Sequence, residues 1–199
     1  MRVIAGKYKS RALRSLKGQM LRPTSDRLRE TLFNILGSAL EGAAFVDLYA
    51  GTGAVGIEAL SRGARQTIFV EQHAPAVVLI RRNLESLGIN RGATVLAVDA
   101  LRGLALLAAR KKVAEPGFDC IFLDPPYAAA EDYARVLEYL GSADLLAPGA
   151  IVVAEHHRKF DLREEAGALR RFRVLRQGDA ALSFYRRSGA PRGENNSAE

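Results

Sequence analysis

The chain has 199 residues, of which 48% are hydrophobic and 26% charged, with one cysteine and a formal net charge of +7. That length supports one core, or one core with a small appendage. A lone cysteine excludes a disulfide framework, no apolar run approaches the roughly 18 residues of a membrane span, and no apolar leader follows Met1, so a soluble cytoplasmic protein is expected.

The charge is concentrated at one end. Residues 1–29 carry nine basic side chains against Asp26 alone, whereas the remaining 170 carry 20 basic and 21 acidic. Such a segment is an electrostatic footprint for a phosphate backbone. Within it, Arg2 to Ala5 and Ala12 to Leu16 flank a polar, glycine-containing stretch and read as a short hairpin. Gly18 to Pro23 is a linker. Thr24 or Ser25 can cap a helix running to about Leu40, with Leu28, Leu32, Ile35, Leu36 and Ala39 as its apolar face and with Arg27 and Arg29 projecting elsewhere.

From Ala44 onward apolar runs of strand length alternate with helical patterns: strands at 44–48, 66–71, 93–98, 118–123 and 149–155, helices at 54–62, 74–87, 101–111 and 131–141. This rhythm predicts a doubly wound, mostly parallel α/β sheet. Phe172 to Arg176 and Leu182 to Arg186 flank Gly178-Asp179 and read as a closing hairpin, one strand of which would run antiparallel. The polar stretch 188–199 is expected to be disordered. Cys120, inside the 118–123 run, reads as a small core residue. His156 and His157 are adjacent and so point to opposite faces of a strand, which does not suit a shared metal. No metal is expected.

Val46 to Leu60 reads strand, glycine turn, helix, and Gly51, Gly53 and Gly56 satisfy the G-x-G-x-x-G spacing. Glycines there let the backbone turn tightly and approach a ligand. Glu71 ends the next strand, twenty residues after Gly51, where an acid can hold two ribose hydroxyls. This much suits a dinucleotide as well as S-adenosylmethionine. Asp47, four residues before Gly51, would repel a pyrophosphate but attract a cationic sulfonium. Asp99 follows the third strand and can accept from an adenine amine. Aspartate is also a preferred helix cap, so for Asp47 or Asp99 taken singly capping explains the residue equally well. Four acids, Asp47, Glu71, Asp99 and Asp124, at the ends of four successive strands fit a ligand site better, because open parallel sheets bind ligands outside their carboxyl ends.

Asp124-Pro125-Pro126-Tyr127 is the most informative stretch. Two prolines donate no N–H and stop the strand. A carboxylate, carbonyls without competing donors and an aromatic ring are thereby presented together, which suits the amine and the flat face of a nitrogen base.

Together with Met1 to Gly6, the stretch Leu21 to Asn34 (LRPTSDRLRETLFN) and Asp47 to Gly53 (DLYAGTG), this D-P-P-Y sequence resembles the RsmD-type bacterial 16S rRNA guanine-N2 methyltransferases, over residues 1 to about 187. The resemblance implies a seven-stranded class I methyltransferase sheet of Rossmann-like type, S-adenosylmethionine as cofactor, and one guanine of small-subunit 16S rRNA as substrate, free or in an assembled particle. It implies a monomer with a basic hairpin-and-helix appendage at 1–40, a catalytic domain at 41–187 and a tail at 188–199. By the same resemblance Asp47 and Gly51, Thr52 and Gly53 line the methionine part, Glu71 the ribose and Asp99-Ala100 the adenine. Tyr49, Gln72 and Asp124 complete the cofactor set. Asp124, Pro125, Pro126 and Tyr127 are the catalytic set, and Lys7, Lys9, Arg11, Arg22, Arg27 and Arg29 the RNA-binding set. Thr24 to Arg29 would close over the cofactor or face the RNA. Competing readings are an adenine-N6 or other nucleic-acid amino-methyltransferase, a dinucleotide-dependent oxidoreductase and a non-catalytic RNA-binding assembly factor. The first lacks room for a target-recognition domain, and the second lacks a catalytic set beside a nicotinamide.

Overall fold

The computed structural model describes residues 1–15, 24–110, 117–126 and 130–188. The expected 18–23 linker with Arg22, the ring of Tyr127 and the tail from 189 onward lie outside the described residues.

Five strands, β1 (Ala44–Leu48), β2 (Gln66–Val70), β3 (Ala93–Leu96), β4 (Phe118–Leu123) and β5 (Leu146–His157), run parallel. Three more, β6 (Glu165–Ala166), β7 (Leu169–Gln177) and β8 (Ala180–Arg187), close the sheet through antiparallel pairs in the order β3-β2-β1-β4-β5-β8-β7-β6. The expected seven-stranded, mostly parallel sheet is thus corrected to a mixed sheet of eight strands. The added member, β6, is two residues long and leaves no periodicity to read. Strand order reverses between β1 and β4, which opens a crevice at their carboxyl ends.

Helices cover both faces, which is why the central strands read as continuous apolar runs. Alternate residues of each strand face opposite layers. Val46, Leu48, Ile121, Leu123, Val152 and Ala154 pack under α4 (Ala100–Arg110) and α5 (Ala130–Ser142). Phe45, Cys120, Phe122, Val153 and Phe184 pack under α1 (Asp26–Leu36) and α2 (Ala54–Ser61). α3 (Ala74–Ser86) lies on this second face over β2, with Ile80 against Phe69 and Ile57.

Helix α1 starts where expected, with the Ser25 hydroxyl accepting from the Leu28 N–H at 3.1 Å. It stops at Gly37, whose φ of 50° ends the α-helical run, and Gly37–Leu40 continues as a 3-10 turn. The N-terminal hairpin closes through an Arg2–Ala12 bridge. It is not a separate appendage. Val3 and Leu13 share a core with Ile57, Phe69 and Ile80, and the Lys7 N–H donates to the Ser61 carbonyl at 2.7 Å. A Cβ at Gly6 would sit 1.8 Å from that Ser61 oxygen, so glycine is required for this approach. The expected boundary at residue 40 therefore has no counterpart in the packing. Among the described residues no helix is long and apolar enough to cross a membrane.

Candidate active site

The carboxyl end of β1 leads into a turn through Tyr49, Gly51 and Gly53, with φ of 59°, 53° and 76°. Tyr49 is a non-glycine residue in the left-handed region, a costly conformation that persists only when its surroundings fix it. Its hydroxyl supplies one anchor by donating to the Asp132 carboxylate in the first turn of α5 at 3.1 Å. Asn83, fully buried on α3, supplies another: its amide donates to the Thr52 carbonyl at 3.0 Å. A Cβ at Gly51 would meet nothing nearer than the Tyr49 carbonyl at 3.9 Å, so the outer side of the turn is open. At Gly56 a Cβ would lie 2.3 Å from the Phe69 ring, so the third glycine lets α2 sit directly on β2.

Four acids stand at this edge, in different states. Asp47 is 1% exposed and its carboxylate accepts from the Gly56 N–H at 2.8 Å. Burial pushes its pKa up to about 8, with the Gly56 bond opposing and Glu71 adding to the rise. Asp47 thus sits behind the turn as a cap for α2 and offers no open ligand surface. Glu71 joins the turn from the front: one oxygen accepts from the Gly51 N–H and the other from the His73 N–H, both at 2.8 Å. Gln72 beside it is exposed. Asp99 is exposed and caps α4 by accepting from the Arg102 N–H at 3.0 Å, with Ala100 buried behind it. Capping thus explains one oxygen of Asp47 and one of Asp99. Among the described residues no ion pair joins Asp47, Glu71 or Asp99 to a cation.

Asp124 is partly buried just past β4, followed by a buried Pro125 and an exposed Pro126. Register aligns Leu123 with Ala154, so the next pair is Asp124 beside Glu155 on adjacent strand ends. Burial, then the charges of Glu155 and Asp47, holds the Asp124 carboxyl well above its ordinary range. Glu155 is 4% exposed and accepts from the Thr24 hydroxyl at 2.7 Å. Thr24 therefore belongs to the carboxylate cluster. Thr24 was expected to close over the cofactor or face the RNA; Glu155 was not legible as a site member, although the alternation of β5 puts it on the same face as Asp124. Among the described residues no three His, Cys, Asp or Glu side chains are placed to hold a metal ion. The two histidines do part: His156 is buried against Ser183 and Tyr133, and its pKa is lowered chiefly by burial.

The basic set divides. Lys7, Lys9 and Arg27 are exposed. Arg11 is exposed but its guanidinium donates to the Ser86 carbonyl at 2.9 Å, at the end of α3. Arg29 is a correction: it is fully buried, donates to the Arg2 carbonyl and the Asp26 carboxylate, and lies 3.9 Å from Glu58. It cannot face RNA in this fold. Its spacing of three, four and seven residues from Leu32, Phe33 and Leu36 puts it on the buried stripe of α1. That spacing was readable; the charge outweighed it.

Against known proteins, the family model described as "Conserved hypothetical protein 95" matches residues 1–186. The chain is 39% identical to the putative rRNA methyltransferase YlbH of Bacillus subtilis over 189 residues, covering 95% of this chain and 100% of that protein. It is 34% identical to ribosomal RNA small subunit methyltransferase D of Haemophilus influenzae over 158 residues, 78% of each chain. Among solved structures, the putative methyltransferase yhhF of Escherichia coli superposes with a TM-score of 0.79 at 27% identity, covering 95% of this chain and 98% of that one. A more distant fold neighbour at 14% identity, with a TM-score of 0.63, covers 80% of this chain and 48% of its own; it is a putative methyltransferase complexed with S-adenosylhomocysteine. With nearly its whole length matched, this chain belongs to the conserved hypothetical protein 95 family, the RsmD-type methyltransferases.

Proposed function

We propose that this protein uses S-adenosylmethionine to methylate the exocyclic N2 amine of a guanine in small-subunit rRNA. The observation that carries the reading is the juxtaposition of Asp124 and its two prolines with an acidic glycine-turn edge that, among the described residues, pairs with no cation. The names of the relatives, small-subunit rRNA methyltransferases among them, support the substrate class.

The residues at the edge fit a positively charged, adenosine-bearing cofactor. The outer side of the glycine turn has room, and Glu71 and Asp99 supply negative charge but no partner for a pyrophosphate. Glu71 is positioned to hold ribose hydroxyls and Asp99 an adenine amine. Bound there, S-adenosylmethionine supplies a methyl group activated by its sulfonium.

The chain's own groups handle the amine. A guanine N2 lone pair is delocalised into the ring and is a poor nucleophile. Asp124 and the Pro125 carbonyl accept its two N–H bonds and draw the nitrogen toward an attacking geometry. As the methyl is transferred, the nitrogen gains positive charge and loses one proton. Asp124, a carboxylate held above its ordinary range, takes that proton. Glu155 and Thr24 fix the far side of the carboxylate cluster. The exposed Lys7, Lys9 and Arg27 are the phosphate contacts in this reading.

The test is tritium transfer from labelled S-adenosylmethionine to unmodified rRNA, free and in small-subunit particles, followed by nucleoside analysis. N2-methylguanosine is the expected product. Asp124→Ala should lower turnover roughly 10²–10³-fold with little change in cofactor affinity. Tight binding of a nicotinamide dinucleotide with none of the sulfonium would overturn the reading.

A further inference from the structure

We infer that the β7–β8 edge of the sheet is a second contact surface for RNA, a strip of arginines around one outward-turned aromatic ring. The inference deepens the proposed rRNA reading and rests on it.

Residues 169–187 contain six arginines and one acid, Asp179. Pairing sorts them by face. Arg171 and Arg187 turn toward the α5 side and are engaged there. Arg171 donates to the Leu162 carbonyl at 2.6 Å, with Asp161 at 3.4 Å and Glu164 at 3.5 Å, and Arg187 donates to the Ala143 carbonyl. Arg173 and Arg186 stand on the α1 side with Phe172 and Phe184, and Arg170, opposite Arg186 in register, shares that side. The Arg170 ion pair with Glu165 spans 3.6 Å between side chains that are 70% and 69% exposed, so solvent screens it and leaves the guanidinium available.

A β-bulge organises the strip. Arg171 pairs with Tyr185 and Arg173 with Phe184, so Phe172 is the extra residue. Bulges re-aim a side chain, and here two consecutive residues are turned to one face. Phe172 is 40% exposed, and Val78 is the other large apolar side chain exposed to a similar degree among the described residues. The Phe172 ring lies 6.2 Å from Phe184, and the Arg186 guanidinium sits 4.1 Å from its centroid.

The chemistry selects the partner. The buried core of a protein–protein interface is mostly apolar and depleted of charge, whereas this strip holds one exposed ring among guanidinium groups. A lone ring among guanidinium groups instead offers a stacking platform for a base together with cations for its phosphates. The strip shares a face with α1 and with Glu155, beside Asp124. Three strand spacings separate β4 from β7, roughly 14 Å across the sheet. One strand of RNA with a base at Asp124 can reach it within a few nucleotides.

The test uses the full chain and measures binding to an rRNA fragment, to naked 16S rRNA and to small-subunit particles across a salt series. Arg170→Gln, Arg173→Gln and Arg186→Gln combined should lower the log–log salt slope by about 2–3 units. Phe172→Ala should weaken RNA binding roughly 5- to 150-fold at unchanged slope, the loss of one stacked base. Melting temperature and S-adenosylmethionine affinity should hold in both. An unchanged slope and affinity in the triple variant would refute the strip. So would a loss confined to particles with naked RNA unaffected, which would assign it to a ribosomal protein. Methyl transfer is scored separately: a reduced slope, with no rRNA methylated by the wild-type chain, leaves the strip standing and removes the proposed function.

Discussion

Glu58→Ala is the sharpest test of how the basic N-terminal hairpin is attached. Glu58 lies on α2 and is fully buried. Its carboxylate accepts from the Ile4 N–H at 2.8 Å, the Ala5 N–H at 3.0 Å and the Arg62 guanidinium at 2.7 Å, and lies 3.9 Å from Arg29. Alanine leaves two hairpin N–H groups without their acceptor, at about 1–3 kcal/mol each. It also leaves the buried Arg29 with Asp26 as its one ion-pair partner among the described residues, and breaking a buried pair costs about 3–5 kcal/mol. These losses share one side chain and do not add. The expected destabilisation is therefore about 3–5 kcal/mol, or a drop in Tm of roughly 6–20 °C at this chain length. Urea unfolding followed by circular dichroism, beside calorimetry, measures it. Glu58→Gln, which keeps one accepting oxygen, should recover part of the loss. If Glu58→Ala costs less than about 1 kcal/mol, with the main transition unmoved and only the hairpin made protease-sensitive, then residues 1–15 are an independent arm and the reasoning fails.

Two further outcomes are expected. The Asp47 pKa, about 8 in the folded chain against an ordinary 3.8, means the folded state holds a proton that the unfolded state has lost between those values. That contribution is present below about pH 3.8 and lost progressively as pH rises from there to about 8, so Asp47→Asn, which cannot ionise, should gain on the wild type across that interval and keep its advantage above it; parallel Tm curves between about pH 4 and about pH 8 would remove the argument. Replacing Lys7 and Lys9 with glutamine should lower the salt slope of rRNA binding by about 1–2 units. Arg29→Gln should leave that slope alone and lower the Tm, and a slope change from Arg29 would contradict its burial.

Much of the fold was legible because the period of the apolar residues changes cleanly between strand and helix. Strand 44–48 and helix 54–62 were read almost to the residue, and the glycine spacing located the turn between them. Gly37 was overlooked as a stop because the apolar pattern runs on through Leu40. β6 escaped notice because a two-residue pairing is set by its neighbour, not by its own sequence. At the site, Asp124 announced itself through two prolines. Glu155 did not, since an acid in mid-strand has no local signature and gains its meaning from Thr24, 131 residues away. The whole-chain charge count also misled. It credited the N-terminus with all the excess, because acids such as Asp161 and Glu164 cancel the β7 arginines on paper while pairing with Arg171 on the opposite face.

The Thr24–Glu155 hydrogen bond sets an order of events during synthesis. Elongation at about 5–20 residues per second puts roughly 7–26 s between the two partners, which are 131 residues apart. The hairpin's partners on α2 emerge much earlier, since Glu58 follows Ile4 by 54 residues. The glycine turn can therefore assemble while the Asp124 edge is still unmade, and the carboxylate cluster closes only after β5 has appeared. In the proposed reading, a nascent chain therefore presents its exposed lysines to RNA before the edge that would act on it exists.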